Sequence, residues 1–316
     1  SSTVYRVLLK LTDENILRQS ANGRFYPNLE KPSGSASSHQ SFACLLPKVS
    51  LWSATLQGIL SGIVERSSHY RRGTLLFHEE QLARQQSVSE PPIHASTEEQ
   101  KKMLHKFLNR HGDHCAGIIF DNKWSDEAID SFRDPIKKAV IINRTTRLDF
   151  ASSVGVDYRL SATLALSHLL ATEFRPIYFI TSYEDAYVRE MQEALLQMAR
   201  EIGAGLDQSH CLLIGDGKTR SQFIGEICRK HKKPAIFCPE ENLAQLIQME
   251  AKSQNIPVPD HLGILSGTGS SRTEDAQLST IQTDFTRVGA RAVDLLRSEI
   301  PAEEVISPLL IRRDTT

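Results

Sequence analysis

The chain has 316 residues, enough for two or three domains, and its 37 Lys and Arg nearly balance its 38 Asp and Glu. A formal net charge of -1 excludes a chain that is basic throughout, so any surface for nucleic acid must be local. No stretch approaches the ~18 apolar residues of a membrane span, and no signal-peptide pattern opens the sequence, so we expect no membrane partner. The five cysteines form no C-x-x-C pair. This favours buried thiols in a reducing cytoplasm over disulfides.

The first 27 residues differ from the rest of the chain. Ser2 and Thr3 are typical of a helix cap, and the apolar stripe that follows predicts a short helix. The segment Ala21-Asn22-Gly23 then predicts the turn of a β-hairpin, because Asn-Gly supplies the positive φ angles of a tight turn. Residues 28–41 have the composition of a linker.

From Phe42 onward, apolar strand-like runs alternate with helical patterns. Strands are predicted over 42–47, 72–78, 116–120, 139–143, 177–182, 211–216, 235–239 and 262–267. Helices are predicted near 53–66, 96–111, 125–132, 160–171, 186–202, 219–231 and 241–254. This alternation predicts an α/β fold of parallel sheets flanked by helices, and eight or more strands favour two lobes over one sheet.

The sequence shows no catalytic constellation. The Gly-rich stretches GTGSS at 267–271 and GDGKTR at 215–220 lack phosphate-loop spacing and are interpreted as ordinary loops. His111 and His114 are close in sequence but have no third ligand nearby. We therefore expect neither an enzyme nor a protein with a cofactor or a metal.

A binding site is predicted instead, because ligands of parallel sheets lie outside the carboxyl ends of the strands. The residues that this rule selects in the two lobes are Ser50, Trp52, Phe120, Asp121, Asn143, Lys218, Glu240 and Thr268. Trp52 is the strongest of these candidates, since an indole in the first loop can stack on a sugar ring or another planar ligand. The alternative for Trp52 is packing beneath the following helix.

Several segments together resemble the effector-binding domain of the lac and galactose repressor (LacI/GalR) family. They include FACLLPKVSLWSATLQGILSGI, AIFCPEENLAQLI, the PVPD segment at 257–260, the LSTI segment at 278–281, the following TDFTRVGARAVDLL, and the closing strand PLLIRRD. The resemblance implies the type I periplasmic-binding-protein-like fold, in which two lobes close around a small molecule. It also adds Thr283 and Phe285 to the ligand-binding residues.

The sequence departs from that family at three ligand positions. The family's sugar-binding Arg is not clearly placed, and Arg189 and Gln192 compete for its position. Glu240 replaces the usual Asn, and Thr268 stands where an Asp is expected. An ordinary hexose or pentose is therefore in doubt, and a different polar molecule could be the ligand.

Residues 1–27 resemble the second half of a GntR-type winged helix-turn-helix, with TVYRVLLKL as the recognition helix. The resemblance implies that Ser2, Thr3, Tyr5 and Arg6 would contact DNA from the helix, and Arg24 from the wing. Because the two helices that normally precede this motif are missing, we expect roughly 40 further N-terminal residues in the natural protein. The alternative is an ordinary helix–hairpin extension.

The predicted organisation is a partial winged-helix (α+β) segment at 1–27, a linker at 28–41, lobe 1 at 42–148 and 281–301, and lobe 2 at 149–280 and 302–316. The predicted function is that of a cytoplasmic transcriptional regulator, a repressor that binds operator DNA and senses a sugar or another polar molecule. The chain is expected to form a homodimer mainly through lobe 1, using helices 53–66 and 285–298. Both helices carry more apolar residues than one face packed against a sheet needs. The alternative function is a solute-binding protein of a transport or sensing system.

Overall fold

A computed structural model describes residues 12, 17–19, 25–27, 40–47, 54–79, 83–84, 93–269 and 277–316. Its strands are β1 Leu17–Gln19, β2 Phe25–Pro27, β3 Ser41–Pro47, β4 Thr74–Glu79, β5 Ala83–Arg84, β6 Ile93–His94, β7 Cys115–Phe120, β8 Ala139–Ile142, β9 Ala151–Val156, β10 Ile177–Thr181, β11 Cys211–Leu213, β12 Ala235–Cys238, β13 Gly263–Ser266, β14 Ser279–Gln282, β15 Glu303–Ile306 and β16 Leu309–Ile311. Its helices are α1 Ala54–His69, α2 Thr97–His111, α3 Asp126–Asp130, α4 Tyr158–Ala171, α5 Ala186–Ile202, α6 Gly217–Lys230, α7 Glu241–Ser253 and α8 Phe285–Arg297.

Two six-stranded sheets carry the fold. The first has the order β15-β9-β8-β7-β3-β4, and the second has the order β11-β10-β12-β13-β14-β16. The neighbouring strands from β4 to β9 are parallel, as are those from β11 to β14, whereas β16 runs antiparallel to β14. The predicted α/β class with two parallel sheets is therefore confirmed.

Each sheet packs against its own apolar core, and the chain divides into two units, one around each sheet. In the first unit, which contains the sheet from β15 to β4, the core includes Leu45, Phe107, Phe120 and Trp124. In the second it includes Ile180, Ile236 and Ile264, all fully buried. Phe107 lies on α2 and Trp124 in the loop after β7, whereas the other side chains come from strands that are short apolar runs, as expected for strands covered on both faces.

Besides residues 84–93, which group with the second unit, the chain passes between the two units within β9, just before α8, and at the start of β15, after residues 154, 284 and 303. The sequence analysis placed these changes at 148, 280 and 301. The first boundary differs because the stretch Ala151-Ser152-Ser153-Val154 pairs with β8 as a strand of the first sheet. The third lies two residues later than predicted, at the first residue of β15.

Helices α1 and α8 pack against each other within the first unit. Gly62 faces the backbone of Thr286 and Ala290, and Gly289 faces that of Ile59 and Ile63, so no side chain separates the helices there. Eight apolar residues suggested a dimer interface on these helices, and Leu60 is the one among them that stays partly exposed. The other seven are buried within the chain: Leu56, Ile59, Ile63, Val288, Ala292, Leu295 and Leu296. Most of the apolar surface that suggested a dimer interface is therefore used inside one chain, and the homodimer stays a prediction.

The N-terminal strands β1 and β2 form an antiparallel hairpin, with Arg18 paired to Tyr26. This agrees with the hairpin predicted from Asn22-Gly23, although the turn itself and the predicted recognition helix at Ser2, Thr3, Tyr5 and Arg6 lie outside the described residues, as does Arg24.

Candidate functional site

The second sheet has a polar group at the carboxyl end of three neighbouring strands. Strands β10, β12 and β13 are adjacent in the sheet, and Thr181, Glu240 and Thr268 lie at or just beyond their ends. The chain leaves β10 toward β11 on one side and reaches β12 on the other, which makes this edge the switch point of the sheet. Crevices at such switch points are the usual ligand sites of doubly wound sheets.

Glu240 is the central side chain of this edge. It is 7% exposed, and its Oε1 accepts hydrogen bonds from the Thr181 hydroxyl at 2.7 Å and the Ser182 amide at 2.9 Å. The Ser182 hydroxyl lies 3.2 Å from the same oxygen. Burial raises the pKa of the Glu240 carboxyl above its usual value, and the donors on Oε1 only partly oppose that shift.

The second carboxyl oxygen of Glu240 differs from the first. Among the residues that the structure describes, Oε2 is buried and has no hydrogen-bond partner. A buried polar atom without a partner costs free energy, and such atoms are rare in native proteins. A donor group brought by a ligand would satisfy this oxygen.

Hydroxyl groups surround the carboxyl. Tyr183 and Tyr187 place their hydroxyl oxygens 2.8 Å apart, and burial raises the pKa of both phenols, with the charge of Glu240 adding to the shift. Thr268 accepts from the Glu241 amide at 3.2 Å, and Thr280 donates to the Thr268 carbonyl at 2.9 Å. The edge is therefore rich in neutral hydroxyls around one buried acid.

The remaining predicted residues from Arg189 onward are placed differently. Arg189 and Lys218 are exposed on α5 and α6. Gln192 donates to Gln208, which precedes β11 and so lies toward the amino end of that strand. Thr283 and Phe285 are buried where the chain enters α8. Among the described residues of the predicted set, Glu240 and Thr268 lie close together. The Thr268 hydroxyl accepts from the Glu241 amide and donates to the Pro239 carbonyl, the two neighbours of Glu240 in the chain.

In the first unit, the predicted residues divide into three groups. Ser50 and Trp52 lie outside the described residues. Phe120 is fully buried and stacks edge to face on Trp124 at 5.6 Å, so it is a core residue and not the ligand contact that its position after a strand suggested. Asp121 and Asn143 remain polar groups at the carboxyl ends of β7 and β8.

Asn143 has an unusual conformation. Its φ angle is 60°, in the left-handed region that Asn tolerates better than most residues. Its backbone amide donates to the Val154 carbonyl, while its side-chain Oδ1 is buried without a partner among the described residues. Asp121 accepts from the Lys123 amide at 3.1 Å and is also buried.

The strand-end rule did not select Thr181, Tyr183 and Tyr187 as neighbours of Glu240, or Thr280 as a contact of Thr268. The rule of strand ends could have selected Thr181, the last residue of β10, but the tyrosines lie in the following loop and helix, where no pattern distinguished them. Within the described part of the chain, no three His, Cys, Asp or Glu side chains are grouped to hold a metal ion. No described helix is long and apolar enough to cross a bilayer.

Comparisons with known proteins agree with this fold. Residues 166–316 match the family described as a periplasmic binding protein-like domain. The chain is 23% identical over 209 residues to the HTH-type transcriptional regulator YkvZ of Bacillus subtilis, covering 63% of each protein. It is 21% identical over 191 residues to the HTH-type transcriptional repressor MelR of the same organism, covering 57% of this chain and 56% of that one.

Among solved structures, the fold superimposes on a PurR family transcriptional regulator from Vibrio parahaemolyticus with a TM-score of 0.70 and 18% identity, covering 87% of this chain and 98% of that one. The chain thus has the fold of the type I periplasmic-binding-protein-like domain found in LacI-family regulators. The matched part spans less than two thirds of the length of the curated relatives.

Proposed function

We propose that the chain is a ligand-responsive transcriptional regulator, a repressor that binds operator DNA through its N-terminal segment and senses a small polar molecule with its two-sheet domain. The observation that carries the ligand site is the buried Glu240 carboxyl at the switch point of the second sheet, with an oxygen that has no partner in the described structure. The similarity to regulators and repressors supports the wider role.

The proposed DNA-binding part is the second half of a GntR-type winged helix-turn-helix. The hairpin of β1 and β2 supports it, since a wing is a two-stranded hairpin that follows the recognition helix. Arg24 then belongs to the wing, and Ser2, Thr3, Tyr5 and Arg6 to the recognition helix. A homodimer would match two such segments to the two halves of a palindromic operator.

The proposed ligand carries hydrogen-bond donors, as a sugar derivative does. A hydroxyl or an amino group can donate to Glu240 Oε2, while the surrounding hydroxyls of Thr181, Ser182 and Tyr183 can both donate and accept. If the domain has two conformations, such a ligand would favour the one that it binds more tightly. The DNA affinity could then change by no more than the ratio of the ligand's affinities for the two conformations.

The test is a thermal-unfolding screen of the chain and its Glu240→Gln variant against sugars, sugar acids, amino sugars and phosphorylated sugars. A ligand at 100 times its Kd should stabilise the parent by ~2.7 kcal/mol. The variant keeps the size of the side chain and should be stabilised less by the same compound. Equal stabilisation of both proteins would remove Glu240 from the ligand site. If no compound of this screen stabilises the parent, the proposal of a sugar-like ligand fails.

A further inference from the structure

The C-terminal halves of α1 and α8 and the turn after α1 carry five arginines of the first unit. The two helices run in parallel, since Gly62 contacts residues near the start of α8 and Arg66 pairs with Asp294 near its end. The resulting surface, called the arginine face below, consists of Arg66, Tyr70, Arg71, Arg72, Arg291 and Arg297. Positive charge exceeds negative charge there, even counting Asp294 and the neighbouring Glu65 and Glu299.

Contacts within the arginine face hold its side chains in place. Asp294 accepts from Arg66 Nε at 2.6 Å, from the Tyr70 hydroxyl at 2.8 Å and from Arg291 Nη1 at 2.9 Å. Tyr70 is thereby fixed, and the Arg297 guanidinium lies 3.8 Å from the centre of its ring. A guanidinium that already rests against a ring loses less conformational freedom when it binds, and its fork of donors fits a phosphate group.

The arginine face lies where the N-terminal segment joins the first unit. Arg72 Nη1 donates to the Gln40 carbonyl at 2.9 Å, and the Phe42 amide donates to the Gly73 carbonyl at 2.9 Å. Gln40 stands at the end of the predicted linker, and the residues between Pro27 and Gln40 can span at most roughly 45 Å at ~3.5 Å each. DNA held by the N-terminal hairpin is therefore within a limited distance of this face.

We propose that the arginine face binds the phosphate backbone of the same DNA duplex that the N-terminal segment recognises. This inference rests on the proposed function and extends it, because it gives the ligand-sensing domain its own contact with DNA. Phosphate contacts of this kind add affinity without reading sequence. The helix C-termini at this end oppose anion binding with about half a charge each, which is less than the excess of five arginines over the three carboxylates of this surface.

The experiment uses the whole chain and a fluorescently labelled DNA duplex of arbitrary sequence, with affinity measured by anisotropy over a series of salt concentrations. The test variant is Arg71→Gln with Arg297→Gln, which removes two exposed charges from the arginine face. The matched control is Lys230→Gln with Lys232→Gln, two exposed charges of the second unit. Unfolding midpoints of all variants are compared to ensure that each one folds.

If both arginines bind phosphates, the slope of log affinity against log salt should become shallower by ~1.8, or ~0.9 for each phosphate that is no longer neutralised. The control should keep the slope of the parent. A third variant, Arg297→Lys, keeps the charge and should keep the slope while binding more weakly, since it loses the fork of donors.

The possible failures are distinguishable. If the parent binds DNA and Arg24→Gln weakens it while the arginine-face variant matches the parent, the inference is wrong and the proposed function stands. If the control loses as much affinity as the arginine-face variant, only total charge matters and the inference is also wrong. If the parent binds no DNA even at low salt, both the inference and the DNA-binding part of the proposed function fail.

Discussion

At the scale of single residues, Glu240 shows what strand-end reasoning can and cannot find. Its position just after β12 selected it as a candidate, because carboxyl ends of parallel strands converge on ligand sites. Its burial and its bonds to Thr181 and Ser182 were not predictable, since those partners lie nearly sixty positions away in sequence. Phe120 was selected by the same rule and is a core residue, because the rule locates a backbone position and not the direction of a side chain.

Glu240 should make stability depend on pH. Because burial raises its pKa in the folded protein, the folded state binds the proton more tightly than the unfolded state does. Its contribution is therefore fully present below its ordinary pKa of 4.5 and is lost as the pH rises through the raised value. We expect the free energy of unfolding of the parent, relative to Glu240→Gln, to fall as the pH rises above 4.5.

The measurement is urea unfolding of both proteins at a series of pH values, with the exposed Glu184→Gln as a control. The control removes one carboxyl from the surface and leaves Glu240 in place. A constant difference between the parent and Glu240→Gln would show that the carboxyl titrates alike in the folded and unfolded chains.

At the scale of elements, helices and strands were predictable one by one, but their pairing was not. The periodicity of apolar residues correctly predicted α1 and α8. It could not show that these helices bury their apolar residues against each other, because the contact depends on Gly62 and Gly289, which are more than 220 positions apart. Strand β9 was missed because Ala-Ser-Ser-Val lacks the large apolar residues that identified the other strands.

The helix pair gives a prediction about packing. A Cβ atom at position 289 would collide with the Ile59 carbonyl, a backbone atom of α1 that cannot turn away. We expect Gly289→Ala to destabilise the chain by about 1–3 kcal/mol, the usual cost of overpacking, as measured by urea unfolding. Gly155→Ala is the matched control, because a Cβ atom there meets nothing within 4 Å. Equal stability of Gly289→Ala and the parent would mean that the helices are farther apart than the structure shows.

At the scale of the whole molecule, the homodimer stays a prediction, and a second surface can be tested for it. Most apolar residues of α1 and α8 are buried within the chain, whereas the outer face of α7 has two exposed apolar side chains, Leu246 at 39% and Met249 at 67%. Exposed apolar side chains that are close together on one helix are typical of contact surfaces.

We therefore expect Leu246→Asp with Met249→Asp to convert a dimer to a monomer without loss of secondary structure, because each carboxylate would be buried at the contact. Light scattering at micromolar concentration gives the mass, and circular dichroism checks the fold. Ile202→Asp, at an exposed apolar residue of α5, is the control and should leave the mass unchanged. A parent chain that is already monomeric, or a double variant that stays dimeric, would rule out α7 as the interface.

The central claim is that ligand binding and DNA binding are linked in one chain. Linkage is reciprocal. If the ligand changes the affinity of the protein for DNA by some factor, DNA must change the affinity of the protein for the ligand by the same factor. The most direct measurement is the Kd for the DNA duplex, by fluorescence anisotropy, without ligand and with a saturating amount of the compound that best stabilises the parent. The account predicts a change of about 5–150-fold in the DNA Kd, the usual range of such coupling. An unchanged DNA Kd at saturating ligand would contradict it.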